Sequence, residues 1–327
     1  MNLRLFFSLL FSFALWTSNL AAFVPLATPD RFEIRYPDDE EPTEELAQLG
    51  RLLFFDNRLS FNQTQSCATC HNPDLGFSDG LKTGLGAKGE RLGRNTPHLY
   101  NLAWEMRFFW DGRAESLEKQ ALGPIASSAE MNMDLAELLP RLKAVPAYQK
   151  AFKKQFPDQG VTPETLAQAL AAFERTLIVD DTPFDRYLKG DLKALSPAAK
   201  RGLALFKDKA RCVQCHDGPN FTDHGFHNIG LPDKDLGRYG IEKRDNLYKA
   251  FKTPGLRNVA FSAPYMHDGS LASLEEVVRF YNKGGEKVKA KDKAIKPLEL
   301  SEQEIFDLIA FLGALSQPLV IERPEVP

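Results

Sequence analysis

Cysteine and histidine stand together twice in this chain, as Cys67-Ala68-Thr69-Cys70-His71 and as Cys212-Val213-Gln214-Cys215-His216, and its 327 residues hold no other cysteine. The spacing suits covalent haem. Two thiols add across the two vinyl groups of one porphyrin, and the next residue turns its imidazole under the iron. Two Cys-x-x-Cys pairs could instead gather one zinc as a four-thiolate site, or each could serve as a redox dithiol. Zinc does not need a histidine directly after both pairs, and a thioredoxin-like dithiol belongs on a βαβ unit that the pattern lacks. The reading is therefore two haem c groups, with His71 and His216 as proximal iron ligands. The opposite face of each iron decides the chemistry. A side chain bound there makes an electron carrier; an open face makes a site for small molecules.

The elements that must place these groups are repeated too. Leu46 to His71 (LAQLGRLLFFDNRLSFNQTQSCATCH) and Ala199 to His216 (AKRGLALFKDKARCVQCH) each set a Gly-x-x-Leu-Phe helix ahead of the Cys-x-x-Cys-His stretch. A closing helix also recurs. From Thr162 to Leu177, Thr162 is the N-cap and Pro163 the first helical residue, with Leu166, Leu170, Phe173 and Leu177 on one stripe. From Ser301 to Leu315, a Ser-x-x-Glu capping box precedes Ile305, Leu308, Ile309 and Leu312. Copies roughly 140 residues apart indicate duplicated domains, because a solenoid would repeat every 20–50 or so. Strand signals are sparse. The expectation is a mostly helical protein with long loops, its joint near Asp180–Ser196, where Asp, Pro, Gly and Lys accumulate.

Composition narrows the class. At 43% hydrophobic and 26% charged the chain can build a large core, and a net charge of −3 gives no basic footprint for nucleic acid. Residues 1–22 read as an export signal: Arg4 supplies the positive start, Leu5 to Trp16 the apolar run and Ala21-Ala22 the small-residue exit. That run is short of the roughly 20 residues a membrane-spanning helix needs. Charged residues interrupt every later apolar stretch, so no membrane span is expected once the signal is removed. The expected location is the periplasm.

With these motifs in hand, the chain resembles the bacterial dihaem cytochrome c peroxidase and MauG family from about Leu46 to Leu315. The resemblance rests on Phe54-Phe55-Asp56-x-Arg58-Leu59-Ser60, Arg94-Asn95-Thr96-Pro97 and Phe109-Trp110-Asp111-Gly112-Arg113. It continues through Gln120-Ala121-x-x-Pro124, Glu130-Met131 and Ala263-Pro264-Tyr265-Met266-His267-Asp268-Gly269. It implies an all-α fold of two cytochrome c-like domains, each with one covalently attached c-type haem. The first would span 23–188 with the open, peroxide-reactive haem, and the second 189–327 with a six-coordinate electron-transfer haem.

Two departures separate the chain from the family's reductively activated branch. There, a loop histidine before the Arg-Asn-x-Pro motif ligates the first haem; here Ala87 stands in its place, and no histidine occurs between His71 and His98. His98 reads as a packing or hydrogen-bonding residue. The activated branch closes its second haem with a methionine; here Tyr281 falls at that position, as in MauG-like enzymes. By spacing alone, Met266 or His267 would also be a reasonable axial partner. A thioether raises the haem potential, whereas a phenolate, from a group with a free pKa near 10, stabilises Fe(III) and higher states.

The resemblance carries further roles. Glu130 matches the distal glutamate that moves protons in peroxide cleavage, with Gln120 and Pro124 as pocket neighbours, and Trp110 matches the tryptophan between the haems. One calcium would take the Asn95 side chain and the carbonyls of Ser262 and Pro264 in an oxygen shell. Arg257 and His267 would serve as propionate partners or supporting groups. The implied function is reaction with hydrogen peroxide, with high-valent iron shared between two haems and an external donor or partner protein oxidised. That partner would be a small periplasmic cytochrome c or cupredoxin, or a protein substrate; the chain itself could form a homodimer. MauG passes holes to its protein substrate through a surface tryptophan ahead of the second haem motif, where this chain has Ala210. The alternative is a dihaem electron-transfer cytochrome without peroxidase activity, which requires six ligands on both irons.

Overall fold

A computed structural model describes residues 24–327, apart from 35, 38 and 39. The export segment expected at 1–22 lies outside the described residues. Among these, no helix is long and apolar enough to cross a membrane. The helices are α1 (Glu44–Phe54), α2 (Cys67–Cys70), α3 (Leu117–Ala126), α4 (Leu135–Lys143), α5 (Pro146–Gln155) and α6 (Pro163–Glu174) in the first half. The second half holds α7 (Pro183–Leu188), α8 (Pro197–Lys207), α9 (Tyr239–Glu242), α10 (Leu274–Lys283) and α11 (Glu302–Gly313). A ladder of β1 (Phe226–His227) with β2 (Phe251–Lys252), antiparallel with Phe226 opposite Lys252, is the one named sheet among the described residues.

Each half is built on one helix crossing. Thr43 caps α1 by accepting the Leu46 amide, and Ser196 caps α8 by accepting that of Ala199. Thr162 with Thr165, and Ser301 with Glu304, form the boxes that start α6 and α11. The crossing is close because Gly50 of α1 meets the Ala169 carbonyl of α6, and Gly202 of α8 meets the Asp307 carbonyl of α11. A Cβ at either glycine would fall on that oxygen. Around each crossing packs a phenylalanine trio. Phe54 lies 5.0 Å from Phe173 and 6.4 Å from Phe77; Phe206 lies 5.2 Å from Phe311 and 6.0 Å from Phe221. The two cores are separate buried clusters, and Phe184 of α7 joins the second.

The duplication extends through the loops between the crossing helices. Residues 94–124 and 251–281 correspond position by position, including Thr-Pro, Asp-Gly and Ser-Leu-Glu at matching places. Asn101 and Asn258 both take the left-handed conformation, at φ 57° and 58°, which asparagine tolerates better than most residues. Their amides donate to Leu177 O and Leu315 O, each at 3.0 Å. Their side-chain oxygens accept from the Val179 and Gln317 amides, each at 2.7 Å. Phe108 donates to Ala114 O as Tyr265 does to Leu271 O. Ser116 and Ser273 then cap α3 and α10. Helices α4 and α5 have no counterpart in the second half.

Polar contacts lock the halves together. Arg94 grips Asp235 (2.7 Å) of the other half and Asp111 (2.6 Å) of its own. Arg238 donates to the carbonyls of Asp111 and Gly112, at 2.9 and 2.7 Å. Beneath the joint, Arg257 (1% exposed) pairs at 2.7 Å with Asp185 (0%) and donates to Pro219 O and Ala27 O. All the named donors of Arg257 are therefore used on protein groups. The propionate role expected of it gives way to a structural one.

Replacing Gly50 or Gly202 by Ala should push the crossing helices apart and cost about 1–3 kcal/mol. Thermal unfolding of the holoprotein checks this; an unchanged melting temperature in both variants would show that the crossing yields freely.

Candidate functional site

Between the halves lies one cavity of about 710 Å³ that reaches both Cys-x-x-Cys-His stretches. Its wall includes Cys67, Cys70 and His71 on one side and Cys212, Cys215 and His216 on the other, and all four cysteines are free of disulfides. The histidines are presented alike. The Nδ1–H of His71 donates to Phe77 O at 3.0 Å, and that of His216 to Phe221 O at 2.9 Å. This fixes the tautomer and leaves Nε2 with its lone pair for a metal. Burial lowers the pKa of both rings and keeps them in the neutral, ligating form. Each accepting segment is braced in turn: Ser78 Oγ donates to Thr96 O at 3.1 Å, and Thr222 Oγ1 to Thr253 O at 2.7 Å. Thiol pairs, a preset imidazole and an apolar cavity wall fit a haem in each half.

The cavity walls near the two motifs differ. Tyr281 on α10 lines the cavity, and burial raises its phenol, with the Cys215 and Cys212 sulfurs adding to the effect. It is thus near the second motif. The matching residue on α3 is Pro124, whose side chain has no atom that could ligate a metal. Gln120, Pro124 and Glu130 line the cavity together. The loop carrying Ala87 is pressed against this segment: the Ala87 amide donates to Glu130 O at 2.7 Å, and Gly86 meets the Ala129 carbonyl. Met266 and His267 also reach the cavity. His267 is stacked on Phe251 at 3.5 Å, and its Nε2 lies 3.4 Å from Asp233 Oδ2.

Trp110 sits where the two halves meet. Its Nε1–H donates to Asn95 O at 2.9 Å, its carbonyl accepts from the Lys252 amide at 2.8 Å, and its ring stands edge-on to His267 at 6.5 Å. Trp110 and His267 occupy matching positions of the two copies, so they face each other across the joint. Asn95, Ser262 and Pro264 line the same cavity. Asn95 Nδ2 donates to Leu81 O at 3.0 Å, which turns Oδ1 the other way as an oxygen donor. His98 is spent on protein groups: Nε2 donates to Gly255 O and Nδ1 accepts from the Tyr100 amide, as its packing role requires.

Sequence reasoning does not find three features. Glu105 of the first half is buried against Lys252 (2.7 Å) and His224 (3.3 Å) of the second. Glu174, at the end of α6, is buried with Oε2 unpartnered and lines the cavity; in Ala-Phe-Glu-Arg-Thr-Leu it reads as a helix-surface charge. Comparing the two copies residue by residue would have singled it out. His227 is clamped between Asp223 (2.8 Å) and Asp292 (2.6 Å). With Asp223 and Cys215 it makes a three-residue group of metal-ligand type, but Cys215 belongs to the second haem motif.

Known proteins share this arrangement. A family model described as di-haem cytochrome c peroxidase matches residues 44–193. The chain is 46% identical over 299 residues to the methylamine utilization protein MauG of Methylorubrum extorquens, covering 90% of this chain and 85% of that one. It is 43% identical over 317 residues to MauG of Methylophilus methylotrophus, covering 95% and 94%. A solved MauG-like protein associated with microbial copper homeostasis matches with a TM-score of 0.81 at 32% identity, over 92% of this chain and 95% of that one.

Burial alone would raise the Glu105 carboxyl, but the Lys252 ammonium and His224 override it and hold it at about 2. A depressed carboxylate contributes stability above its unfolded value, and that contribution is lost as pH falls through the folded value. Acid unfolding should therefore show a component between about pH 4.5 and about pH 2 that Glu105→Gln removes. Identical acid profiles for the two proteins would mean the carboxylate does not pin the halves.

Proposed function

The chain belongs to the dihaem cytochrome c peroxidase family, on its MauG-like branch, and we propose that Glu130, Trp110 and Tyr281 divide its chemistry between proton transfer, relay and axial ligation. It is a peroxidase-type oxidoreductase with two haem cofactors that reacts with hydrogen peroxide and oxidises a partner. A haem held by His71 would supply peroxide-reactive iron, and one held by His216 would store and pass electrons. The observation that carries the division is the pairing of Pro124 with Tyr281: one frame, with a phenol on one copy and a non-ligating ring on the other.

Glu130 lines the cavity with the first Cys-x-x-Cys-His motif. Its carboxylate would take a proton from one peroxide oxygen and return it to the leaving one, which is general acid–base work. Gln120 orients the peroxide through its amide, and Pro124 keeps that face clear. The loop amide of Ala87 holds the Glu130 backbone in position, while Ala87 itself brings no competing ligand. Trp110 would carry a hole between the two haems, its indole N–H anchored on Asn95 O. Cys67 and Cys70 fasten the first porphyrin, Cys212 and Cys215 the second. Asn95 Oδ1 and the carbonyls of Ser262 and Pro264 offer hard oxygen donors, which suit a calcium between the halves.

The oxidised partner is a small cytochrome c or cupredoxin, or a protein side chain, met in the periplasm after export by residues 1–22. Ala210 is buried at 5% exposure beside the second motif. It offers no aromatic exit, so holes bound for a protein leave by another side chain.

The resting ferric protein should give one high-spin and one low-spin EPR signal; two low-spin signals would defeat the open first haem. Glu130→Gln should keep both haems yet slow the peroxide reaction by about 10²-fold or more, as stopped-flow absorbance would record. In Trp110→Phe, peroxide should change the spectrum of the first haem and leave that of the second behind. If both still change together, the indole is not the relay.

A further inference from the structure

The closing helices α6 and α11 correspond residue by residue where they meet the cavity. Ala169 and Asp307 receive the two crossing glycines, Phe173 and Phe311 complete the two aromatic trios, and Leu177 and Leu315 accept the two asparagine amides. In that register the residue after the phenylalanine is Glu174 in the first copy and Leu312 in the second, and both line the cavity. The fold does not call for an acid here, since the second copy is built with leucine.

Glu174 is 5% exposed, and its Oε2 has no hydrogen-bond partner. An unpaired buried carboxylate is costly, and a neutral carboxyl less so. Arg175 lies next to it in sequence but donates to Glu118 of α3 at 2.6 Å. Burial raises the Glu174 carboxyl to about 8; Arg175 opposes the rise and Glu118 adds to it. On α2 the Cys67 sulfur senses the same charge, and it becomes a neutral thioether once joined to the porphyrin. On α1 the nearest charged residue to the crossing is Arg51, whose Nη1 donates to Gln48.

We propose that Glu174 is a redox-linked proton site for the first haem, keeping its proton while that haem is reduced and releasing it to water when the haem's charge rises. The inference rests on the first haem being the one that reacts with peroxide. When the reduced first haem gives up one electron, that electron goes to the oxidant, a chemical mediator in a titration. The proton leaves the Glu174 carboxyl, and only that O–H bond is broken; reduction returns both. The two opposing influences explain the placement. Burial disfavours the carboxylate, and added positive charge nearby favours it, so a single electron decides whether the proton stays. The second haem, with Leu312 at this place, has no such group on α11.

Spectroelectrochemical titration of each haem in the holoprotein, repeated across pH, tests this in wild type, Glu174→Leu and Glu174→Gln. The wild-type first haem should show a potential that falls as pH rises through about 8, because the carboxylate favours the oxidised form. Both variants should lose that slope and stay at the wild-type low-pH value, while the second haem is unaffected. Redox-difference infrared spectra should show a carboxylic-acid C=O band that disappears on oxidation in wild type only. Leucine is the residue the other copy uses there, and glutamine covers the case in which leucine disturbs folding. A slope that survives in both variants, or a pH-independent wild-type potential, would overturn the proposal. A low-spin first haem by EPR would instead remove the open-site reading, and the slope would still be measurable.

Discussion

Phe77 and Phe221 hold their carbonyl oxygens against the Nδ1 atoms of His71 and His216, and much of each half is arranged to keep them there. Both phenylalanines are left-handed, at φ 57°, a conformation that bulky residues avoid unless the surroundings impose it. The surroundings do so through the ring: each is buried in an aromatic trio whose other members come from the two crossing helices. Those helices approach closely only because Gly50 and Gly202 lack a Cβ. Imidazole orientation thus traces back, through a strained carbonyl and a packed ring, to a glycine on the helix ahead of the motif. A metal-ligand direction is set by core packing.

On this common frame, function comes from what differs between the copies. Pro124 corresponds to Tyr281, so one copy carries a side chain without a ligating atom where the other carries a phenol. Trp110 corresponds to His267 and meets it across the joint at 6.5 Å. Glu174 corresponds to Leu312. Each exchange leaves the backbone hydrogen bonds of the frame intact, as the paired bonds of Asn101 and Asn258 illustrate. Duplication supplied two equivalent haem sites, and a few side chains set their surroundings apart.

The joint has to be rigid for such a division to work, because electron transfer between fixed centres falls steeply with distance. Its ionic contacts are buried or half-buried and multiply hydrogen-bonded, which is the setting in which a charge pair holds geometry. Glu105 with Lys252, Arg94 with Asp235, and Arg238 on the Asp111 and Gly112 carbonyls all fasten one half to the other around Trp110.

Much of this was legible in the chain itself. Covalent haem follows from two thiols and an imidazole at fixed spacing, a local pattern that no distant contact alters. The helices that flank each motif follow from caps and apolar stripes, which are local as well, and the absent loop histidine is read at Ala87. Other features depended on tertiary structure. The match between 94–124 and 251–281 was written in the sequence but diluted by substitution, and the paired hydrogen bonds make its register plain. Arg257 looked like a partner for a haem and proved to be committed to Asp185, because a long side chain goes where burial leaves an unpaired charge. Glu174 looked like a surface acid. Whether a helical carboxylate meets water or a cavity depends on which face the neighbouring helix covers, and that contact is made by residues more than a hundred positions away in the chain.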